Sequence, residues 1–505
     1  MDILQLNTEK NKRMHHLFWC MVIYCGVLCV EVFAEKWNYI GNANAVHTLM
    51  FMAFGCVLVW GARQLGKTTD FDARSIKILW IIFLLGMIMR VGYMLYTPWY
   101  LRGHDVGAVG VDENCIGHAG YVLRLFYGKL PENNGSQFYH PPLYHFLAAL
   151  TMHVSGWMRH IARGEDVIES AKVVSTVASM IALYQCKCMI DDLGIKGKAS
   201  IITFSFLAFF PNYYLMGGRI NNDCLAFMFC VLILRYTILW YRDSNWVNTI
   251  LLAVWFGFGI MTKVSVATMA LGTAIVMLYV FWQQWKNKSW KGLFLKFCGF
   301  GIISGGLGLW YAIRNYILYQ QSFTYVPDTS LDSPLYCGDH SVLQRFGPDF
   351  SFLTNIFNNS YADYNVFTFL FRGSLFGEWE FPALPVEFVK LYYCAWWLLL
   401  VVMVAIMIYM LVRKSTKMMY VLFGTFVVQM ASYIWFNIQF PFGCTMDYRY
   451  IPITTIVLAF FTGMFGMQAS KKADLPFYNY AWKGIQILVV FCSICSVTAY
   501  MIIGV

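Results

Sequence analysis

Apolar residues run through this chain in long blocks rather than in the alternations or stripes of a water-soluble fold. Blocks near 17–34, 45–62, 76–97, 170–190, 198–216, 222–241, 247–264, 266–283, 294–316, 390–412, 418–437, 450–467 and 484–503 each approach the roughly 20 residues that cross a bilayer as a helix. They predict an all-α polytopic integral membrane protein with about 13 transmembrane helices. One further run, 141–158, opens on Pro141-Pro142 and carries His145 and His153, so it is expected to lie at the membrane interface. The pattern divides the chain into an N-terminal pair of transmembrane helices (1–75) and a transmembrane core (76–318) with a polar loop at 98–145. A polar and aromatic segment (319–389) and C-terminal transmembrane helices (390–505) follow.

Charge orients these blocks. Lysine and arginine cluster at 10–13, 63–77, 286–291, 413–417 and 471–472, between spans, where cytoplasmic loops carry them. Keeping 286–291 cytoplasmic requires an odd number of crossings after residue 140, which the interfacial placement of 141–158 supplies. The loop at 98–145, the turn at 217–223, the segment 319–389 and the loop QFPFGCTMDYRY (439–450) then share the extracytoplasmic face. Arg90, in the outer third of its span, is expected to snorkel or to face a polar cavity.

Composition narrows the reading further. With 59% hydrophobic and 13% charged residues the chain is no soluble domain; those carry roughly 25% charged residues. The net charge of +10 resides in the inter-span clusters, so nucleic acid is not an expected partner. Most of the fifteen cysteines lie inside apolar spans and read as small hydrophobes, the close pair Cys186 and Cys188 included. Cys115, Cys337 and Cys444 fall in outer loops, with no pairing implied. No cleavable signal peptide is evident, and asparagine sequons stand at Asn134 and Asn358.

The chemistry-bearing residues gather on the extracytoplasmic side. Asp105, Asp112 and Glu113 come from the polar loop, along with His104, His118, Tyr139, His140 and His145. Arg219, Asn222 and Asp223 come from the 217–223 turn, and Lys263, Arg314 and Arg449 from the outer ends of later spans. Singly, such cations are what interfacial anchors look like. Together with an acid at a lipid–water boundary they suit sugar transfer from a lipid phosphate. Cations neutralise the phosphate as the glycosidic bond breaks, while a carboxylate deprotonates or orients the acceptor hydroxyl. The irregular histidine spacing lacks a zinc signature, so no metal is assigned.

The motifs GHD (103–105), GHAGYVLRLFYGKLP (117–131) and QFYHPPLYH (137–145) carry a family resemblance. GRINNDCL (218–225), Thr262-Lys263, Arg314-Asn315 and CTMDYRYI (444–451) extend it. Together they resemble the GT-C superfamily of polytopic glycosyltransferases, in the branch of the protein O-mannosyltransferases, the lipid A aminoarabinose transferase and their bacterial relatives. The resemblance implies a GT-C fold and transfer from a dolichyl- or undecaprenyl-phosphate sugar to a hydroxyl on a protein, lipid or glycan, with inversion. It places the membrane as bacterial plasma membrane or endoplasmic reticulum. It implies Asp105 as the catalytic acid, with Asp112 and Glu113 as alternatives because they resemble the Asp-Glu pair of the O-mannosyltransferases. Arg219, Lys263, Arg314 and Arg449 would hold the donor phosphate. His104, His118, Tyr139, His140, His145, Asn222 and Asp223 would orient substrate. Two spans before the loop, where the simplest pattern has one, depart from the family. Members of this branch are often metal-independent whereas the related oligosaccharyltransferases use a metal, so a divalent ion stays open. The competing readings are a transporter or flippase of a lipid-linked or small anionic substrate, and a catalytically inactive relative.

Overall fold

The computed structural model describes residues 3–109, 116–132, 135–323, 325–326, 330–351, 356–357, 364–414 and 416–503, the side chains of 3–15 and of Lys414 excepted. The alternative acids Asp112 and Glu113, together with Cys115, Asn134 and Asn358, lie outside the described residues.

Three long helices open the chain: α1 (Ile3–Lys36), α2 (Ala43–Gly66) and α3 (Phe71–Tyr96). Two short ones, α4 (Gly117–Phe126) and α5 (Leu143–Arg159), follow the polar loop. Then come α6 (Lys172–Asp192), α7 (Gly197–Ala208), α8 (Pro211–Gly217), α9 (Asp223–Arg242), α10 (Trp246–Thr262), α11 (Met269–Lys286), α12 (Lys291–Gly308) and α13 (Trp310–Tyr319). The second half holds α14 (Val342–Phe346), α15 (Val366–Phe376), α16 (Val386–Lys414), α17 (Lys417–Gln439), α18 (Ile453–Lys471) and α19 (Pro476–Ile502). Polar side chains set several starts by accepting the otherwise unpaired N–H groups of a first turn. Asp70 accepts from Ala73 at 2.7 Å, Asn245 from Asn248 at 2.9 Å and Asn365 from Thr368 at 3.0 Å. Among the described residues no sheet forms; one isolated antiparallel bridge, Tyr336 to Phe442, ties the 319–389 segment to the loop after α17.

Among the described residues ten helices are long and apolar enough to cross a membrane, or twelve if each of two bent pairs is one span. The apolar run near 198–216 becomes α7 and α8, bent by 44°. Pro211 has no N–H to continue the ladder and opens the second helix instead. The run near 294–316 becomes α12 and α13, bent by 52°. The run near 247–264 is realised as α10, whose 17 residues fall short of the lengths counted as spans. Helix α5, from the run at 141–158, is not among the helices apolar enough to cross.

Burial separates centre from periphery. The spans containing α6, α9 and α18 are mostly enclosed by protein, whereas most residues of α2, α11 and α17 are at least partly exposed. Arg90 neither snorkels nor faces a cavity. It is 1% exposed and wedged between α3, α6 and α7, where its guanidinium donates to Ser179 Oγ at 2.8 Å and to the carbonyls of Gly86 at 2.9 Å and Ala208 at 3.0 Å. A buried guanidinium is tolerated where carbonyls satisfy its fork.

Helix direction sorts the loops into two ends. The end of α3, the starts of α4, α5 and α9, the end of α10 and the loop between α17 and α18 lie together, as hydrogen bonds from Asn221 to His104 and from Asn222 to Thr262 attest. The basic clusters occupy the opposite helix ends.

Candidate active site

The polar loop is fastened before it reaches its acid. Glu169 accepts the Trp99 N–H at 2.8 Å, and its ion-pair partner Lys172 donates to the carbonyls of Met94 and Thr97, both at 2.8 Å. Further on, the N–H of His118 donates to the Asp105 carbonyl at 3.0 Å and that of Ala119 to Val106 at 2.9 Å. These bonds lay the loop against the first turn of α4. Gly107 and Gly117 cross there with φ of +75° and +73°, and a Cβ on Gly107 would stand 2.0 Å from the Ile116 carbonyl oxygen. Asp105 also sits in left-handed backbone, at φ +53°. Such a conformation costs an L-residue of order 1 kcal/mol, least for Asp and Asn, and concentrates at functional sites.

Four segments bring charge to this loop. His104 lies 3.0 Å through Nε2 from Asp105 Oδ2 and 2.8 Å through Nδ1 from Glu378 Oε2. Arg449 reaches Asp223 Oδ2 at 3.2 Å, Asp105 Oδ2 at 3.7 Å and Asp447 Oδ2 at 3.8 Å, and donates to Tyr450 Oη at 3.2 Å. Asp223 pairs through its other oxygen with Lys263, whose ammonium also faces the Tyr450 ring at 5.3 Å. Asn221 accepts the Asp223 N–H at 2.8 Å and donates to the His104 carbonyl at 3.1 Å. Asn222 donates to the Thr262 carbonyl at 3.2 Å. Arg219 is buried beside Gly377, with its Nε and Nη2 lacking hydrogen-bond partners among the described residues.

The acids and the imidazole set one another's charge. Burial and Arg449 both oppose a charged His104, but Glu378 and Asp105 outweigh them and raise it to about 9. Burial works against ionising Asp105, yet His104 and then Arg449 hold its carboxyl far below the usual range. Glu378, against burial, is drawn down to about 2 by His104. Burial, reinforced by Glu378, pushes Asp447 up. Asp105 is the outward-facing member, its side chain 42% exposed against 6% or less for Asp223, Arg449 and Asp447.

The remaining histidines form a separate, neutral stack. His118 and His145 share a hydrogen bond at 2.9 Å, His140 stacks on His118, and Tyr121 stacks on His145 with ring centroids 3.9 Å apart. Burial holds all three histidines well below the ordinary imidazole range. Tyr139 packs on His140 at 4.1 Å. Arg314 lies at the far side of this stack. Its guanidinium donates to the Pro131 carbonyl at 3.0 Å and to Asn315 at 2.8 Å, with the Tyr311 ring beneath it, and no described contact joins it to the Asp223 group.

Lys263, Arg449 and Asp223 line a small pocket with Phe227, Val266 and Ile453, between α9, the turn 264–268, α17 and the start of α18. One atom each of His104, Glu378 and Asp447 lies within 4.8 Å of the others, a spacing on which a divalent cation could be held. Two features disfavour one there. Both His104 nitrogens already face carboxylates, and the Arg449 guanidinium stands against Asp447. The donor set therefore fits an imidazolium better than a metal.

Glu378, Asp447 and Asn221 were missed by the sequence reading. Asn221 and Asp447 lie within quoted motifs, next to Asn222 and two residues before Arg449. Glu378 had only the flanking signal of Gly377 in FGEWEF, within a segment without span character.

Comparison with known families bears on part of this site. Residues 139–305, a third of the chain, match the family model for dolichyl-phosphate-mannose-protein mannosyltransferase. The matched stretch includes Tyr139, His140, His145, Arg219, Asn222, Asp223 and Lys263; Asp105, Arg314 and Arg449 lie outside it. No curated protein matches the chain. Taken with the helix count and the absence of a sheet among the described residues, the partial match supports a multi-pass membrane protein of the GT-C glycosyltransferase type.

Proposed function

We propose that this protein transfers a sugar from a polyprenyl-phosphate donor to an acceptor hydroxyl at the extracytoplasmic membrane–water boundary, with inversion at the anomeric carbon. The observation that carries the proposal is the meeting of an outward-facing carboxylate, Asp105, with the buried Arg449, which shares Asp223 with the half-buried Lys263 beside a small pocket lined in part by Phe227, Val266 and Ile453. The basic clusters on the opposite helix ends support the extracytoplasmic orientation.

Each residue has a distinct task in this reading. Lys263 and Arg449, paired with Asp223, receive the donor phosphate and stabilise the charge that grows on it as the bond to carbon breaks. Arg219, with two unpartnered nitrogens, is an additional donor to that charge. Asp105 Oδ2 is occupied by His104 and Arg449, which leaves Oδ1 for the acceptor hydroxyl. A carboxylate so easily ionised is a weak base. Asp105 therefore orients the hydroxyl first and takes its proton late, as the oxygen bonds to an electron-poor anomeric carbon. Tyr139 and His140 stand where they can border the sugar.

The test is transfer by purified protein in lipid nanodiscs, with radiolabelled polyprenyl-phosphate sugars and water-soluble or lipid acceptors. A new glycosidic bond of inverted configuration is expected. Movement of labelled lipid across the bilayer without bond formation would refute the transferase and establish the flippase.

A further inference from the structure

The site contains a buried contact that the proposed chemistry does not by itself require. His104 is gripped from both sides, by Asp105 from its own loop and by Glu378 from the turn after α15. Glu378 is held on its own account. Gly377 takes φ +64° and ψ −142°, a conformation open to glycine almost alone, and a Cβ there would lie 2.9 Å from Arg219 Nη2. Helix α15 packs on α8 and on the short turn at Tyr448–Tyr450. It therefore belongs to the scaffold that also places Arg449.

We infer that Glu378 is a positioning residue for the transfer reaction. By holding His104 Nδ1 it aims Nε2 at one oxygen of Asp105, so that the other oxygen alone meets the acceptor. The inference rests on the reading of Asp105 as the acceptor-facing acid. A carboxylate free to rotate about its Cβ–Cγ bond presents either oxygen, and reactions that need a hydroxyl at attack distance lose rate steeply with misplacement. Two contacts pin Asp105: His104 at 3.0 Å and Arg449 at 3.7 Å. Arg449 is shared with Asp223 and Asp447, so His104 is the dedicated clamp. The charged groups around the imidazole are Asp105 on its own loop, Glu378 after α15, Asp447 and Arg449 before α18, and Asp223 at the start of α9. Among the described residues, only Glu378 and Asp105 bond the ring.

The experiment compares wild type with Glu378→Gln and Glu378→Asp, and uses His104→Gln to identify the His104 signal. The first reading is kinetic. Glu378→Gln should lower kcat about ten- to a hundredfold, less than the two to four orders of magnitude expected for losing the acid itself. Donor KM should stay within about twofold, because no phosphate contact is lost. Its alkaline limb should move to lower pH, because the imidazole then loses its proton more easily. Glu378→Asp, which keeps the charge on a shorter arm, should restore part of kcat and the wild-type limb. The second reading is nitrogen NMR of ring-labelled histidine, independent of turnover. The His104 ring should be doubly protonated at neutral pH in wild type and not in Glu378→Gln. An unchanged His104 signal in Glu378→Gln would overturn the inference, as would an unchanged kcat despite a changed signal. Loss of wild-type activity on chelation, with recovery on adding manganese, would overturn it in favour of a metal on the same residues. If wild type makes no glycosidic bond with any donor, the transferase reading fails while the NMR reading still decides whether Glu378 sets His104.

Discussion

The pairing of Asp223 with Arg449 is the contact on which the donor site depends, and a double-mutant cycle measures it. At 3.2 Å, with both side chains about 5% exposed, two unit charges attract by about 5 kcal/mol at an effective dielectric near 20. Desolvation offsets part of this, but removing one partner strands the other, and buried pairs broken in that way cost roughly 3–5 kcal/mol. Asp223→Asn takes the carboxylate from Lys263 and leaves Arg449 with Asp105 and Asp447, whereas Arg449→Gln leaves Asp223 to Lys263 and Asp105 to His104 and removes the guanidinium beside Asp447. Each should lower the unfolding midpoint in a fixed nanodisc. The double variant should cost less than the sum by at least roughly 1 kcal/mol, since contacting charges couple and distant ones do not. Binding should separate the two. Arg449→Gln should raise donor KM about ten- to a hundredfold, the worth of one or two charge-assisted hydrogen bonds. Asp223→Asn should leave donor KM unchanged or lower it, because it releases two cations for the phosphate. Strict additivity in the cycle would refute the ion cluster. Equal rises in KM for both variants would refute the idea that Asp223 stands in for the donor.

Asp105→Asn keeps a side chain that tolerates left-handed backbone, so the loop should remain in place while kcat falls by roughly two to four orders of magnitude; full activity would move the acid to Asp112 or Glu113. Gly377→Ala forces a Cβ toward Arg219 in a conformation that costs of order 1–3 kcal/mol, and should lower both stability and kcat; a neutral result would mean that the turn carrying Glu378 is not rigid. His104 binds its proton more tightly in the folded chain, at about 9, than the roughly 6.5 of an unfolded histidine, so its stabilising contribution is complete below about pH 6.5 and is lost as pH rises through 9. Thermal unfolding midpoints should therefore decline between pH 7 and 9 in wild type and less so in His104→Gln; parallel curves would contradict the raised value.

The helical, membrane-crossing character was legible because bilayer thickness imposes a length on every apolar block, and this signal survives without any knowledge of packing. The cations at helix ends were legible for a related reason: a charge inside an apolar sequence is costly, and Lys263 and Arg449 stood out against their neighbours. Partnerships were not legible. Glu378 bonds a histidine 274 positions away, and nothing local marks that contact. Arg314 occupied a helix end like the others. The 52° bend between α12 and α13 separates its short helix from the preceding span, and at that place Pro131 and Asn315 take its guanidinium. Pro211 was visible as a residue that cannot continue a helix, yet the block around it was apolar enough to read as one span.

The crossing of Gly107 and Gly117 has a consequence for how this loop can change. Each glycine lies against the other's backbone, and the bonds from His118 to Asp105 and from Ala119 to Val106 close the crossing from below. The chain leaves and returns through one pinched doorway, so whatever is spliced in between begins and ends at the same place. Asp105 and its surroundings are in effect a socket, keyed by the two glycines and locked from α4 by His118 and Ala119.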